Sequence, residues 1–368
     1  MTIEDIALTY VQRLNAANTV KLLEEFGDAR AIYAAGASEL MRRGVRSAEL
    51  ARRIVAREGF AEAERELRRC EREGVRPIAS TDAEYPQMMT FGVADYPHVI
   101  YVMGSVGALT GRMLTVVGTR MPGRSAVTCD LLIGELADCV DDVRVVSGLA
   151  FGTDANAHRA ALDAKVPTVA VVPSVLPDIM PKNHSYIAEK ILSSGGAIVS
   201  ELNMASGRHK GSYIQRNRIM AAMSEGTLVV ESLPAGGSMA TTELALSYNR
   251  TLMAVPGRPT DGLSSGPNML IRTHRAEMVC SGSDIAGCLG WPLAERIAEV
   301  AQRPRVELSD DGYRIMACLS GGEAMSTDAL MSLCGLDIGT VMATMTELEM
   351  QGVVRAVPGG KYESCNML

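Results

Sequence analysis

The chain has no run of about eighteen apolar residues, so it carries no segment of the length and hydropathy that crosses a bilayer as a helix. It has no C-x-x-C pair. Its eight cysteines are scattered from Cys70 to Cys365, which argues against a structural zinc site and fits reduced thiols in a cytosol. Its five histidines are equally dispersed and suggest no metal-ligand cluster. The opening MTIEDIALTY carries two acids and no basic stretch, unlike a secretory signal. The pattern G-x-x-x-x-G-K-[ST] is missing, which excludes a P-loop. The segment SGLAFGTD does not match G-x-G-x-x-G, the dinucleotide fingerprint. A G-x-S-x-G nucleophile turn is also missing. What remains is the make-up of an ordinary globular protein, 47% apolar and 21% charged, long enough at 368 residues for two or three domains.

The net charge of −7 counts against a polyanionic partner, but its distribution matters more than its sum. Residues 96–129 hold Arg112, Arg120 and Arg124 and no acid. Residues 202–224 hold Arg208, Lys210, Arg216 and Arg218 and no acid. Residues 306–368 carry nine acids against three bases. The chain is therefore acidic, with two positive segments in its middle third.

Three regions follow from the pattern. Residues 1–75 read as a small all-helical domain broken by Gly27, Gly36 and Gly44, with a longer charged helix at 60–73. Residues 76–290 alternate short β-branched runs (114–117, 143–146, 168–172, 197–199, 227–230 and 251–255) with helical segments. That alternation predicts βαβ units and a parallel sheet covered on both faces. Residues 291–309 read as a linker. Residues 310–368 predict helices at 311–319, 327–334 and 338–350, then a hairpin turning at Pro358-Gly359-Gly360, which is a winged-helix order. Its third helix has two acids and no base, so it is expected to pack or to meet protein rather than to read DNA.

In open α/β sheets, ligands sit beyond the carboxyl ends of the strands. Those ends are rich in small residues here: Gly118-Thr119-Arg120, then Ser147 and Gly148 through Phe151 and Gly152, then Gly236, Gly237 and Ser238. Glycine lets backbone amides approach a ligand, and a helix N-terminus behind each turn favours an anion. The edge is thus expected to suit phosphate. His158 follows Asp154 by four residues on one helix face. The pair reads as a packing or capping contact, with acid–base catalysis as the lesser alternative. In GSYIQRNRIMAAMSEGTLVVE (211–231), Ser212 with Gln215 forms a capping-box pattern, and Gly226 is expected to end the helix before a buried strand. Arg216 and Arg218 then stand near the positive end of that helix dipole and call for a negative partner.

The blocks VVGTR, SGLAFGTDANAHRAAL, SYIQRNRIMAAMSEGTLVVES, GGSMATTELAL, LMAVPG and GPNMLI occur in an order and spacing that closely resemble the DNA-processing protein A (DprA/Smf) family. The resemblance covers residues 75–285 strongly. It extends weakly to a SAM-like or helix-hairpin-helix-like N-terminal domain and a winged-helix tail. It implies an extended Rossmann-like domain that binds single-stranded DNA through its backbone and needs no cofactor. It also implies loading of the RecA recombinase, homodimerisation through that domain, a cytoplasmic setting and no enzymatic activity. Carried onto this chain, the DNA-binding set is Gly118, Thr119, Arg120, Ser147, Gly148, Phe151, Gly152, Lys182, His184, Arg216, Asn217, Arg218, Gly237 and Ser238. Several aromatic positions of the family are replaced: Tyr213-Ile214 stands before the R-N-R element and Met180 before Pro181. Phe151, Tyr186 and Tyr213 remain as stacking platforms. Successive helix positions turn by about 100°, so Arg216 and Arg218 point in nearly opposite directions. One is expected to grip the ligand while the other pairs with an internal acid such as Glu201 or Glu231. About four neutralised phosphates would give a log–log salt slope near −3. A second resemblance, of PAGGSMATTE to the glycine turn of nucleoside-5′-monophosphate phosphoribohydrolases, would instead make Glu243 and Arg216 catalytic.

Overall fold

The computed structural model describes residues 1–121, 123–206, 211–294, 309–319, 324–350, 354–357 and 360–364. Contacts divide the chain into two compact units, Met1–Glu295 and Arg296–Leu368. Arg208, Lys210, Pro358, Gly359 and most of the expected linker lie outside the described residues.

The first unit opens with six helices: α1 (Ile3–Leu8), α2 (Ala16–Phe26), α3 (Ala29–Ala34), α4 (Ala37–Arg42), α5 (Ala48–Val55) and α6 (Phe60–Glu73). Most are too short to persist alone, so caps and a shared core hold them. Asn15, Asp28 and Ser47 cap α2, α3 and α5, each accepting from a backbone amide three residues on. Leu8, Leu22, Leu23, Ile32, Leu40 and Ile54 are buried together between the helices. A second cluster joins Ile6, Ala7, Ala63 and Cys70 to Tyr101, Leu176, Ile187 and Ile198. The helical region and the sheet therefore share apolar interior, which is why residues 1–295 form one compact unit.

The sheet has nine strands: β1 (Arg76–Ala79), β2 (Val99–Gly104), β3 (Arg112–Val117), β4 (Val143–Ser147), β5 (Thr168–Val171), β6 (Ala197–Ser200), β7 (Gly226–Val229), β8 (Thr251–Ala254) and β9 (Glu277–Met278). Their order is β1-β2-β6-β5-β4-β3-β7-β8-β9. From β6 to β9 every pairing is parallel, and all six predicted strand runs fall in this part. The expected parallel sheet is extended beyond β6 by two strands that the sequence pattern did not predict. β1 and β2 pair antiparallel to each other, and β2 pairs antiparallel to β6. Only a single 3-10 turn, Gln87–Met89, separates β1 from β2, so the alternation that marks βαβ units does not reveal them. Pro77 is tolerated in β1 because that strand is an edge.

The covering helices are α7 (Ser125–Cys139), α8 (Thr153–Asp163), α9 (Ser185–Ser193), α10 (Gly211–Met223), α11 (Gly237–Ser247), α12 (Ser265–Arg272) and α13 (Gly282–Leu289). Two local expectations are corrected. Ser212 lies inside α10, buried, with its hydroxyl unpartnered, so it is not the cap. Gly226 opens β7 rather than closing α10, because Leu289 and Met253 pack where its Cβ would stand. The chain runs outward from β3 through β4 and β5 to β6, then returns to lay β7 on the other side of β3. That reversal is a switch point, where the loops leaving β3 and β7 part and leave a crevice.

The second unit contains α14 (Asp310–Leu319), α15 (Thr327–Cys334), α16 (Ile338–Met350) and a three-stranded sheet of β10 (Met325–Ser326), β11 (Val354–Val357) and β12 (Lys361–Ser364). Val354–Val357 pairs in register with Lys361–Ser364, as a wing does. Ile315, Leu319, Leu330, Val341, Met345 and Leu348 form its interior. Among the described residues no single helix is long and apolar enough to cross a membrane.

Candidate functional site

A cleft of about 420 Å³ opens at the switch point, between the loop after β3, the first turns of α10 and the loop after β7. It gathers Gly118, Thr119, Arg120, Arg216, Asn217, Gly237 and Ser238 from three separated stretches of chain. Hollows of about 600 and 720 Å³ exist elsewhere in this unit: the first follows β6, where Glu201 and Asp95 line it, and the second lies among the N-terminal helices, so neither is at the point where the strand order reverses.

Arg216 dominates the chemistry. Its side chain is only 4% exposed, yet it lines the cleft. Nη1 donates to the Met220 sulfur at 3.0 Å and stands 3.8 Å from the Asp154 carboxylate, while Nε has no partner. A guanidinium offers five N–H donors, so this one is under-satisfied. Burial pulls its pKa below the ordinary arginine value, as does the charge of nearby Arg120, while Asp154 opposes the shift. Leaving a buried charge short of partners costs several kcal/mol unless something negative arrives. Above it, exposed Arg120 lies 5.2 Å from the ring centroid of Tyr213, itself 41% exposed.

The glycines behave differently from the expectation that they bare amides to a ligand. A Cβ at Gly148 would sit 1.3 Å from Arg216 Nη1, so Gly148 makes room for the guanidinium. A Cβ at Gly118 would strike the Thr153 hydroxyl, and one at Gly152, where φ is +74°, would strike the Thr119 carbonyl. These two glycines let the loops after β3 and β4 lock together, with Thr153 N donating to Thr119 O at 3.0 Å. Ser147 is fully buried and donates to the Val116 carbonyl at 2.8 Å, so its hydroxyl is committed to the sheet. Two of the anion-seeking helix ends already hold anions. Glu231 accepts from the amides of Arg124 (2.8 Å) and Ser125 (3.1 Å) at the start of α7. Asp154 accepts from Ala150 N at 3.2 Å at the start of α8. The start of α11 is different: Gly237 has open space around it, and no side chain caps the helix.

Arg218 is the arginine that pairs internally, as one of the two was expected to, and it therefore stands apart from the rest of the expected set. It turns away from the cleft, binds the Glu201 carboxylate, and lies 3.9 Å from Asp95. Tyr248 also donates to Asp95, at 2.7 Å. This cluster belongs to the 600 Å³ hollow beside the N-terminal helices. Burial pushes the Glu201 carboxyl up, and the Arg218 charge pulls it back.

Lys182, His184 and Phe151 do not line the cleft; they lie further along the same rim, after β5 and β4. His184 is buried, and its Nδ1 pairs with the Leu149 carbonyl at 2.8 Å, so it props the loop after β4. Phe151, 47% exposed, rests on the His184 ring at 4.5 Å. Lys182 is exposed. Tyr186, also exposed, accepts a hydrogen bond from Arg159 through its hydroxyl. His158 does not pair with Asp154. The Thr168 hydroxyl donates to the Val145 carbonyl and thus accepts from His158 Nδ1–H at 2.8 Å, leaving Nε2 as an unpartnered lone pair. Burial first, then the charges of Arg216 and His184, pull its pKa down to about 3, so it stays neutral. Glu243, required by the phosphoribohydrolase alternative, is 62% exposed, pairs with Arg275 at 2.7 Å and does not line the cleft. Asp154 as the counter-ion of Arg216 escaped the sequence reading, because no spacing rule connects α8 to α10.

Comparison with known proteins bears on the family and the fold. The family model described as DNA recombination-mediator protein A matches residues 76–290, and the DprA winged helix domain matches 299–360. Protein Smf of Escherichia coli K12 is 31% identical over 289 residues, covering 77% of this chain and 76% of that protein. The X-ray structure of DNA processing protein A from Streptococcus pneumoniae superposes with a TM-score of 0.67 at 26% identity, covering 78% of this chain and 98% of that one. DNA processing protein A from Helicobacter pylori, described with a distinctive single-stranded DNA binding mode, gives 0.51 at 27% identity, covering 58% and 95%.

Proposed function

The chain belongs to the DNA recombination-mediator protein A (DprA/Smf) family, and on that premise we propose that its switch-point cleft binds single-stranded DNA by the sugar–phosphate backbone, without reading bases. The observation that carries this reading is Arg216: a buried, under-partnered guanidinium aimed into a cleft beside the uncapped start of α11. A phosphate there would supply charge-assisted hydrogen bonds that the fold leaves unmade. Arg120 and Tyr213 at the mouth would meet the next phosphate and a base face, and Lys182 with Phe151 would continue the track along the rim.

Three cations, Arg216, Arg120 and Lys182, would neutralise phosphates, fewer than the roughly four expected, so the log–log salt slope on single strands should be near −2. Fluorescence anisotropy of a labelled oligothymidylate across a salt series measures it. A salt-insensitive affinity, or one unchanged by Arg216→Ala, would overturn the reading. The same proposal holds that the protein binds rather than turns over its ligand, works in the cytoplasm on DNA processing in transformation or recombination, dimerises through the sheet domain, and delivers the strand to the RecA recombinase. The description of the family as a recombination mediator supports the last step. Stimulated recombinase filament growth on the bound strand would test it, and sedimentation would test the dimer.

A further inference from the structure

A second charged surface lies in the N-terminal helices, away from the strand ends. A groove of about 720 Å³ runs between α2 and the loop joining α4 to α5, lined by five cations and two carboxylates. The loop is rigidly placed. Val45 is buried, and its amide bonds the Leu40 carbonyl at 3.0 Å. The Arg43 guanidinium lies 3.9 Å over the Phe26 ring and so fastens the end of α4 to α2. Arg42 and Arg46 flank these anchors and are exposed, as is Lys21 on α2.

The pairing pattern sets this groove apart. Residues 1–75 contain thirteen basic side chains, of which nine lie within 4.0 Å of a carboxylate. The four without such a partner are Lys21, Arg42, Arg46 and Arg52, and the first three line the groove. A helical region that neutralises its arginines almost everywhere thus concentrates its unpaired charge in one concave place. Clustered like charges destabilise the folded state slightly and raise the local concentration of a polyanion. No exposed aromatic ring lines the groove, since Phe26 is covered by Arg43. Bases therefore have no stacking platform there, unlike at Tyr213 and Phe151.

We propose that this groove is a second nucleic-acid contact, in which Lys21, Arg42 and Arg46 bind the phosphodiester backbone of a strand or duplex too long to be held by the cleft alone. The proposal rests on the reading that the chain binds nucleic acid. The test compares the full chain with the triple variant Lys21→Ala/Arg42→Ala/Arg46→Ala, using a short oligothymidylate, a long one and a blunt duplex across a salt series. Binding of the short strand should be unchanged. Binding of the long strand should weaken about tenfold, with a slope shallower by about 2; if the duplex is the ligand, its slope should become shallower by about 3. Arg42→Lys/Arg46→Lys should retain most of the affinity, because point charges suffice for backbone contact.

The proposal is overturned if both long ligands keep their affinity and slope in the triple variant, or if the lysine variant loses as much as the alanine one. It is also overturned if only binding to polyglutamate is lost, which would mark a protein dock. Loss of short-strand binding is the signature of Arg216→Ala instead, so failure of the groove and failure of the cleft are read on different ligands.

Discussion

Arg216 and Arg218 are two residues apart on α10 and live in opposite chemical circumstances. Arg218 reaches into the hollow between the end of β6 and the N-terminal helices, where Glu201 and Asp95 both face it and Tyr248 steadies Asp95. Arg216 reaches into the cleft, where a single carboxylate stands 3.8 Å away and Nε bonds to nothing. One cation is spent on holding the fold together; the other is held by the fold for something that arrives from outside. A motif that reads R-N-R therefore joins a structural arginine to a functional one, and helical rotation separates the roles.

The largest effect that would break this contrast is on stability. Arg218→Met leaves half-buried Glu201 beside Asp95 without its counter-charge and should cost about 2 kcal/mol in denaturant unfolding. The oligothymidylate affinity of the folded fraction should be unchanged. Arg216→Met should do the reverse: stability within about 1 kcal/mol of wild type, because relief of an under-satisfied buried cation is offset by leaving Asp154 without its counter-charge, and affinity down roughly thirtyfold, about 2 kcal/mol. Gly148→Ala should copy the binding loss without touching the arginine's identity, since the methyl group occupies the site of Nη1. If Gly148→Ala binds normally, the guanidinium position is not what matters.

A titration sharpens the same comparison. His158 keeps its native pKa near 3, against an unperturbed 6.5, because it is buried and close to Arg216. Below pH 6.5 the unfolded chain takes up this proton and the folded chain does not. Stability should then fall by about 1.4 kcal/mol per pH unit toward pH 3, on top of other groups. Thermal melts of His158→Gln across that window should show a shallower loss, while above pH 7 this term contributes equally to both proteins. The smallest effect is at the mouth of the cleft. Arg120→Ala should weaken binding only a few-fold, as exposed contacts do, and reduce the magnitude of the salt slope by about 0.7.

Much of this was legible because it is local. Six of the seven parallel strands announce themselves as short β-branched runs between helical segments, the two-residue β9 being the exception, and the second unit's three helices and wing follow from helical segments and turn residues. β1 and β2 were not legible: no α-helix joins them, and β2 enters the sheet by pairing with β6, nearly a hundred residues later. The glycines at the strand ends were legible as places of close approach but not as to what approaches. Only in three dimensions does Gly148 meet Arg216, Gly152 meet Thr119 and Gly118 meet Thr153. Glu231 stood out as a possible partner for an arginine; it instead takes the two amides that open α7.

The sequence by itself determined the alternation of strands and helices, the positive middle third, the winged-helix order of the second unit and the blocks that mark the family. Each depends on residues within a few positions of one another, where periodicity, capping and charge act directly. The tertiary structure alone decided which arginine faces the cleft, which helix start remains uncapped for an anion, and which carboxylates are already engaged. Those outcomes depend on the meeting of α8, α10 and the loops after β3, β4 and β7, elements brought together only when the chain reverses direction at the switch point and buries their common edge.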